Sequence, residues 1–166
     1  MEEIRELKER LEGERPVEWD ALPDIGLYMD QLISYMPRQL IRYGEGESLT
    51  SAMVNNYIKD GAMPRAEGKR YSRTHLAYLT ALCALKQVLS IQEVAQLIRM
   101  QAQVCEMQRA YDYFCGQLEE ALQQAAQGTP VAPEADDDRL VVIHATRAVA
   151  SKVYLQKRLE FESRAE

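Results

Sequence analysis

The residues of this 166-residue chain best suited to chemistry lie between Thr50 and Arg73. Asn55 and Asn56 stand side by side in a stretch with helical patterning. An Asn side chain donates and accepts at once, which suits the edge of an adenine in the major groove. Thr50 and Ser51 stand where that helix would begin, and hydroxyls with unsatisfied backbone amides there suit a phosphate. Lys59, Arg65, Lys69, Arg70 and Arg73 are candidate contacts to a phosphate backbone, and Arg38 and Arg42 at the end of the preceding helix could join them. These residues also have plainer uses. The Asn pair could simply end a helix, the Lys69-Arg70 pair could be a solvated turn, and Tyr57, Tyr71 and Leu76 read as core.

Charge distribution favours the recognition reading. The net charge is −6, yet residues 49–73 carry five basic side chains against two acidic ones. By contrast, residues 1–48 carry 6 against 12, residues 74–128 carry 3 against 5, and residues 129–166 carry 6 against 7. A basic island in an acidic chain points to double-stranded DNA as the partner.

The elements that must position these side chains are helical. Residues 2–12 place Ile4, Leu7 and Leu11 on one face. Residues 13–23, with Gly13, Pro16 and Pro23, read as a linker. Asp24 is the expected cap of a helix carrying Ile25, Met29, Leu32 and Met36, which Pro37 kinks before a turn to about Tyr43. Gly44–Glu47 reads as a loop. Thr50 or Ser48 caps a helix over 51–60 that stops at Gly61. Ala62-Met63 and Lys69-Arg70-Tyr71 flank Pro64 and Gly68, the pattern of a small β-wing. Ser72 caps an apolar, and therefore buried, helix through Lys86. Ser90 with Glu93 forms a capping box that starts a further helix at Ile91.

Order and spacing over residues 50–98 resemble the MerR-type winged helix-turn-helix. The matching features are Tyr57-Ile58-Lys59-Asp60-Gly61 followed by Pro64, then Lys69-Arg70-Tyr71-Ser72, then Leu89-Ser90-Ile91-Gln92-Glu93-Val94. Asn55 and Asn56 depart from the Arg and Tyr usual in that family. Over most of the chain, Leu22-Pro23-Asp24-Ile25, Tyr28-Met29-Asp30-Gln31, Asn55-Asn56-Tyr57 and Leu85-Lys86-Gln87-Val88-Leu89-Ser90-Ile91 resemble the bacterial family called domain of unknown function 1836. That resemblance implies a MerR-like fold and no established activity.

A second candidate site lies further along. Val104, Met107, Tyr111, Phe114, Leu118, Ala121 and Ala125 form a heptad-like stripe, packing either on a second copy or on residues 139–165. Residues 91–126 could be one helix or break near Arg99–Gln103. The last helix, 139–165, offers Ala145, Ala148, Ala150 and Ser151 for close contact. A pocket between 104–126 and 139–165, lined by Met107, Tyr111, Phe114 and Cys115, could take a small-molecule effector.

Other chemistries lack their residues. His75 and His144 have no ligand-spaced partners, so no metal is expected. Cys105 and Cys115, on one helix, would lie about 80° and ~15 Å apart, too far to share an ion, and read as buried hydrophobes. The odd count of three cysteines, with Cys83, argues against a disulfide framework. There is no GxGxxG, P-loop, GxSxG or HExxH. Glu119-Glu120 and Asp136-Asp137-Asp138 lack partners that would shift a pKa. No enzyme activity and no cofactor are expected. No apolar run is long enough to span a bilayer, and Met1-Glu2-Glu3 does not open a signal peptide, so a cytoplasmic location and no membrane partner follow.

The expected architecture is all-α. It comprises an N-terminal helix and linker (1–23), a MerR-like winged helix-turn-helix with a small β-wing (24–100) and long C-terminal helices (101–166). The expected role is a homodimeric DNA-binding regulator. The alternative is a protein-interaction or ligand-sensing helical module whose helix-turn-helix no longer binds DNA.

Overall fold

A computed structural model describes residues 2–39, 48–127 and 137–165. The expectations for Arg42, for the turn to Tyr43, for the loop at Gly44–Glu47 and for Asp136 lie outside the described residues. The described elements are helices: α1 (Glu2–Gly13), a 3-10 turn (Trp19–Ala21), α2 (Met29–Tyr35), a second 3-10 turn (Met36–Arg38), α3 (Ser51–Lys59), α4 (Arg73–Leu85), α5 (Ile91–Val104), α6 (Met107–Gln127) and α7 (Asp137–Ala165). The fold is all-α. None of the described helices is long and apolar enough to cross a membrane.

Local signals set most of these boundaries. The Thr50 hydroxyl accepts from the Met53 amide at 3.2 Å and caps α3. At the other end Gly61 takes φ +72, the Gly61 amide donates to the Ile58 carbonyl, and the Ala62 amide donates to the Tyr57 carbonyl. These two bonds with a left-handed glycine form a Schellman stop. Ser90 and Glu93 exchange both bonds of a capping box at the start of α5.

Two expectations near α2 are corrected. The helix starts at Met29 rather than after Asp24, and Ile25 is 70% exposed instead of facing the core. The cause is long-range. The Leu27 amide and carbonyl pair with the Tyr71 carbonyl and amide at 2.9 and 2.8 Å, which requires extended backbone up to Leu27. The same pairing removes the expected ribbon between Ala62-Met63 and Lys69–Tyr71. Among the described residues there is no β-strand, only the isolated antiparallel bridges Leu27–Tyr71 and Glu67–Arg70. Ala62 and Met63 are buried instead.

The break between α5 and α6 falls at Cys105, whose φ −155 and ψ 166 are extended. It therefore comes later than Arg99–Gln103, and Cys105 and Cys115 do not share one straight helix. Of the stripe, Tyr111, Phe114, Leu118 and Ala121 are buried, whereas Val104 is 54% exposed because it precedes the break. α6 lies along α7, which presents Val142, Thr146, Val149, Ala150 and Val153, a spacing of three and four, as its buried side.

α4 is the centre of the molecule. Leu76, Leu79, Leu82 and Leu85 are buried on nearly all its sides. One cluster of buried apolar side chains runs from Leu11 to Val153 and crosses the positions 23/24 and 100/101. Gln39, itself 2% exposed, ties the first residues to this centre. Its Oε1 accepts from the Val17 amide at 2.8 Å, and its Nε2 donates to Thr80 Oγ1 and to the Tyr111 hydroxyl. The Tyr111 hydroxyl in turn donates to the Val17 carbonyl at 2.7 Å. Every polar side-chain group of Gln39 and Tyr111 has a partner, the condition for burying them at little cost.

Candidate nucleic-acid interface

α3 is amphipathic in the simplest sense. Val54 and Tyr57 are buried on one side, while Ser51, Asn55, Asn56 and Lys59 are exposed on the other. Ser51, Asn55 and Lys59 are four residues apart and so form one stripe along about 12 Å of helix. Thr50 is exposed at its start, with its hydroxyl engaged in the cap.

The chain then returns through Pro64 and an exposed Arg65 to a tight turn at Glu67–Arg70. Glu67 and Arg70 exchange both backbone bonds at 3.0 and 2.9 Å, and the two residues between them, Gly68 and Lys69, have φ +56 and +62. Positive φ at both central positions is the type I′ turn, which suits the natural twist of a hairpin. Lys69 is the sole non-glycine residue with positive φ among those described, and its side chain is exposed at the tip. Ser51 and Lys69 line one shallow depression, floored by Tyr28, Met29, Asp30 and Ile33 of the α2 region.

The other two cations of the window are committed to the chain itself. Arg70 donates from Nη1 to the Gly26 carbonyl at 3.1 Å and from Nη2 to the Tyr28 hydroxyl at 2.9 Å, with its guanidinium 4.4 Å from the Tyr28 ring centroid. A Cβ on Gly26 would come within 2.9 Å of the Arg70 Cβ, so this brace depends on a glycine. Arg73 is half-buried, donates to the Leu22 carbonyl at 3.1 Å, pairs with Asp24 at 3.6 Å and lies over the Trp19 ring. Arg38 lies 6.0 Å from the Tyr35 ring centroid. The turn is thus braced by Arg70 and carried outward by Lys69. Sequence reading missed Gly26 and Tyr28 as the partners of Arg70, because contacts over more than forty residues leave no local signal.

The effector pocket expected from the sequence is displaced. A cavity contains Met107, Tyr111 and Phe114 in its wall, but most of its other lining comes from α4 and α5, and among the described residues Val142 alone comes from α7. Cys115 does not line it. One residue beyond Phe114 the helix has turned by about 100°, and Cys115 faces a separate depression with Trp19, Asp112 and Glu119. Burial pushes the Cys115 thiol up to about 12, and burial pushes Cys83 up to about 11. Among the described residues no three His, Cys, Asp or Glu side chains gather as a metal site.

A family model described as "Domain of unknown function (DUF1836)" matches residues 17–114. No curated protein and no solved structure matches the chain.

Proposed function

The chain belongs to the DUF1836 family, whose description assigns no activity, and we propose from its own surface that it binds double-stranded DNA as a MerR-like winged helix-turn-helix regulator. In this reading α3 enters the major groove, with Asn55 and Asn56 at base edges. Ser51, with the first amides of α3, and Lys59, Arg65 and Lys69 contact phosphates. The turn at Glu67–Arg70 acts as a minimal wing, and a homodimer presents two such faces to adjacent half-sites.

One observation carries the reading. The exposed polar stripe of α3 and the exposed tip Lys69 border the same depression, at Ser51. The cation that braces the turn, Arg70, differs from the one at its tip, Lys69, so a charged tip is held out by a structural arginine.

The test is fluorescence anisotropy with genomic fragments over a range of salt concentrations. The three cationic phosphate contacts per protomer, Lys59, Arg65 and Lys69, predict a log–log salt slope of about −3 per protomer. A combined Asn55→Ala, Lys59→Ala and Lys69→Ala variant is expected to lose the binding while keeping its helix content. Binding unchanged in that variant removes the assignment.

A second reading rests on Arg70 and Arg73. Both are engaged within the chain, which leaves a smaller basic footprint on an acidic protein. It makes the protein an interaction module on the same fold, and it predicts no salt-dependent DNA binding at any sequence.

A further inference from the structure

A cavity of about 140 Å³ lies where α4, α5 and α6 meet, with Val142 reaching in from α7. Its room comes from short side chains: Ala77 and Ala81 on α4, Ala102 on α5 and Ala110 on α6. The helices would tolerate Leu or Met at these positions almost as well on propensity alone. Ile98, Met107 and Phe114 supply larger apolar surface in the same wall. Among the described residues no charged side chain lines the cavity, and the polar side chains in its wall are Tyr78, Gln101, Cys105 and Tyr111. The Tyr111 hydroxyl is already held between Gln39 and Val17, and the Cys105 thiol is directed to the Gln101 carbonyl at 3.9 Å.

We propose that this cavity is a binding site for a small, neutral, mainly apolar molecule about one ring in size, carrying at most one hydrogen-bonding group. Three properties fix that class. An apolar cavity of roughly 150 Å³ admits benzene, so the volume fits a single ring. The uncharged wall gives a carboxylate or phosphate nothing to replace its hydration, which excludes ionised ligands. The site opens to solvent beside the exposed Ala102 and the half-buried Met107 and Ala110, so a ligand can enter, and its apolar wall gains dispersion contacts that water does not supply. The flexible thioether of Met107 can close against an aromatic guest. The site stands independently of DNA recognition by α3, from which its lining residues are separate in sequence.

The test uses the full chain with ¹³C-labelled methionine and isoleucine methyl groups. Phenol and toluene, titrated into the low millimolar range, are expected to shift the Met107 methyl resonance saturably. Nuclear Overhauser effects should run from the ring protons to the methyl groups of Met107 and Ile98. Benzoate, of similar size but charged, is expected to shift it at least tenfold less at equal concentration. Ala81→Leu and, separately, Ala110→Leu fill the space and should abolish the phenol shift in whichever retains wild-type circular dichroism. The absence of a saturable shift in the wild-type chain overturns the site. So does an equal response to benzoate, or ring contacts confined to other methyl groups.

Discussion

The Nε2 of His75 lies 2.9 Å from the carbonyl oxygen of Arg65, so the first turn of α4 holds the segment that leaves α3. The opposite ring nitrogen, Nδ1, accepts from the Ser72 amide at 2.9 Å. The ring proton therefore sits on Nε2, which donates to Arg65. His75 is 3% exposed and packs edge-on to Tyr71 at 5.4 Å between centroids. A single imidazole thus caps α4 and fixes the approach to the Glu67–Arg70 turn. His75→Ala removes both of these bonds together with the 2.9 Å contact between Nδ1 and the Ser72 hydroxyl, and leaves a buried gap, at an expected cost of about 2–4 kcal/mol. Thermal denaturation followed by circular dichroism reads this as a clearly lower midpoint, and an unchanged midpoint would mean that the two bonds contribute nothing.

Tyr111→Phe tests the buried network. Val17 loses the donor to its carbonyl and Gln39 loses one of its two acceptors, while the ring volume is kept. An orphaned buried carbonyl costs about 1–3 kcal/mol, and the half-buried Val17 carbonyl lies toward the low end of that range. Urea unfolding should show a lower midpoint at unchanged slope, the signature of lost stability without a change in the surface exposed. The Val17 amide donates to Gln39 Oε1 and Gln39 is itself held by Tyr111, so amide exchange at Val17 should also quicken.

Lys69→Gly separates stability from recognition. A non-glycine residue at φ +62 bears a local cost of about 1–2 kcal/mol, which glycine removes while adding some unfolded-state entropy. The variant should be as stable as the parent or up to ~1 kcal/mol more so. Its DNA affinity should nonetheless fall, and the salt slope should flatten by about one. A variant that gains stability and keeps its affinity would show that the tip charge has no part in binding.

The thiols give a pH dependence. Burial holds Cys83 up to about 11 and Cys115 up to about 12. Because the folded values are raised, the stabilisation from keeping both thiols neutral is fully present below their ordinary value of about 9. It is lost as pH rises from there through about 11 and 12. The unfolding midpoint should therefore decline above pH 9, and a Cys83→Ala, Cys115→Ala double variant should decline less steeply. At pH 8 both thiols should resist alkylation in the folded chain and react on unfolding, because the thiolate is the reactive form. Mass mapping of the alkylated peptides reads each site.

Much of this fold could be read from sequence where the cause is local. Thr50, Ser72 and Ser90 act within three residues, and Gly61 supplies the left-handed turn that stops α3. The exposed stripe of Ser51, Asn55 and Lys59 follows from the same periodicity. What sequence reading missed depends on distant partners. Leu27 is held extended by Tyr71, so Asp24 does not cap α2. Arg70 and Arg73 look like any other basic residues until Gly26, Tyr28, Leu22 and Asp24 are placed beside them. The turn at Cys105 has neither Pro nor Gly to announce it. The cavity wall was found in part because Met107, Tyr111 and Phe114 repeat at helical spacing. Its other sides, from α4 and α5, required the packing.

The segment matched by the family model ends at Phe114, midway along α6, whereas the buried cluster continues through Leu118, Leu122, Val149 and Val153. The matched segment is therefore shorter than the buried cluster it belongs to. A fragment trimmed to residues 17–114 would lose α1, the second half of α6 and α7, and with them the buried Leu11, Leu118, Leu122, Val149 and Val153, so it should aggregate or stay molten. Swapping that segment between relatives demands that the helices beyond it travel too.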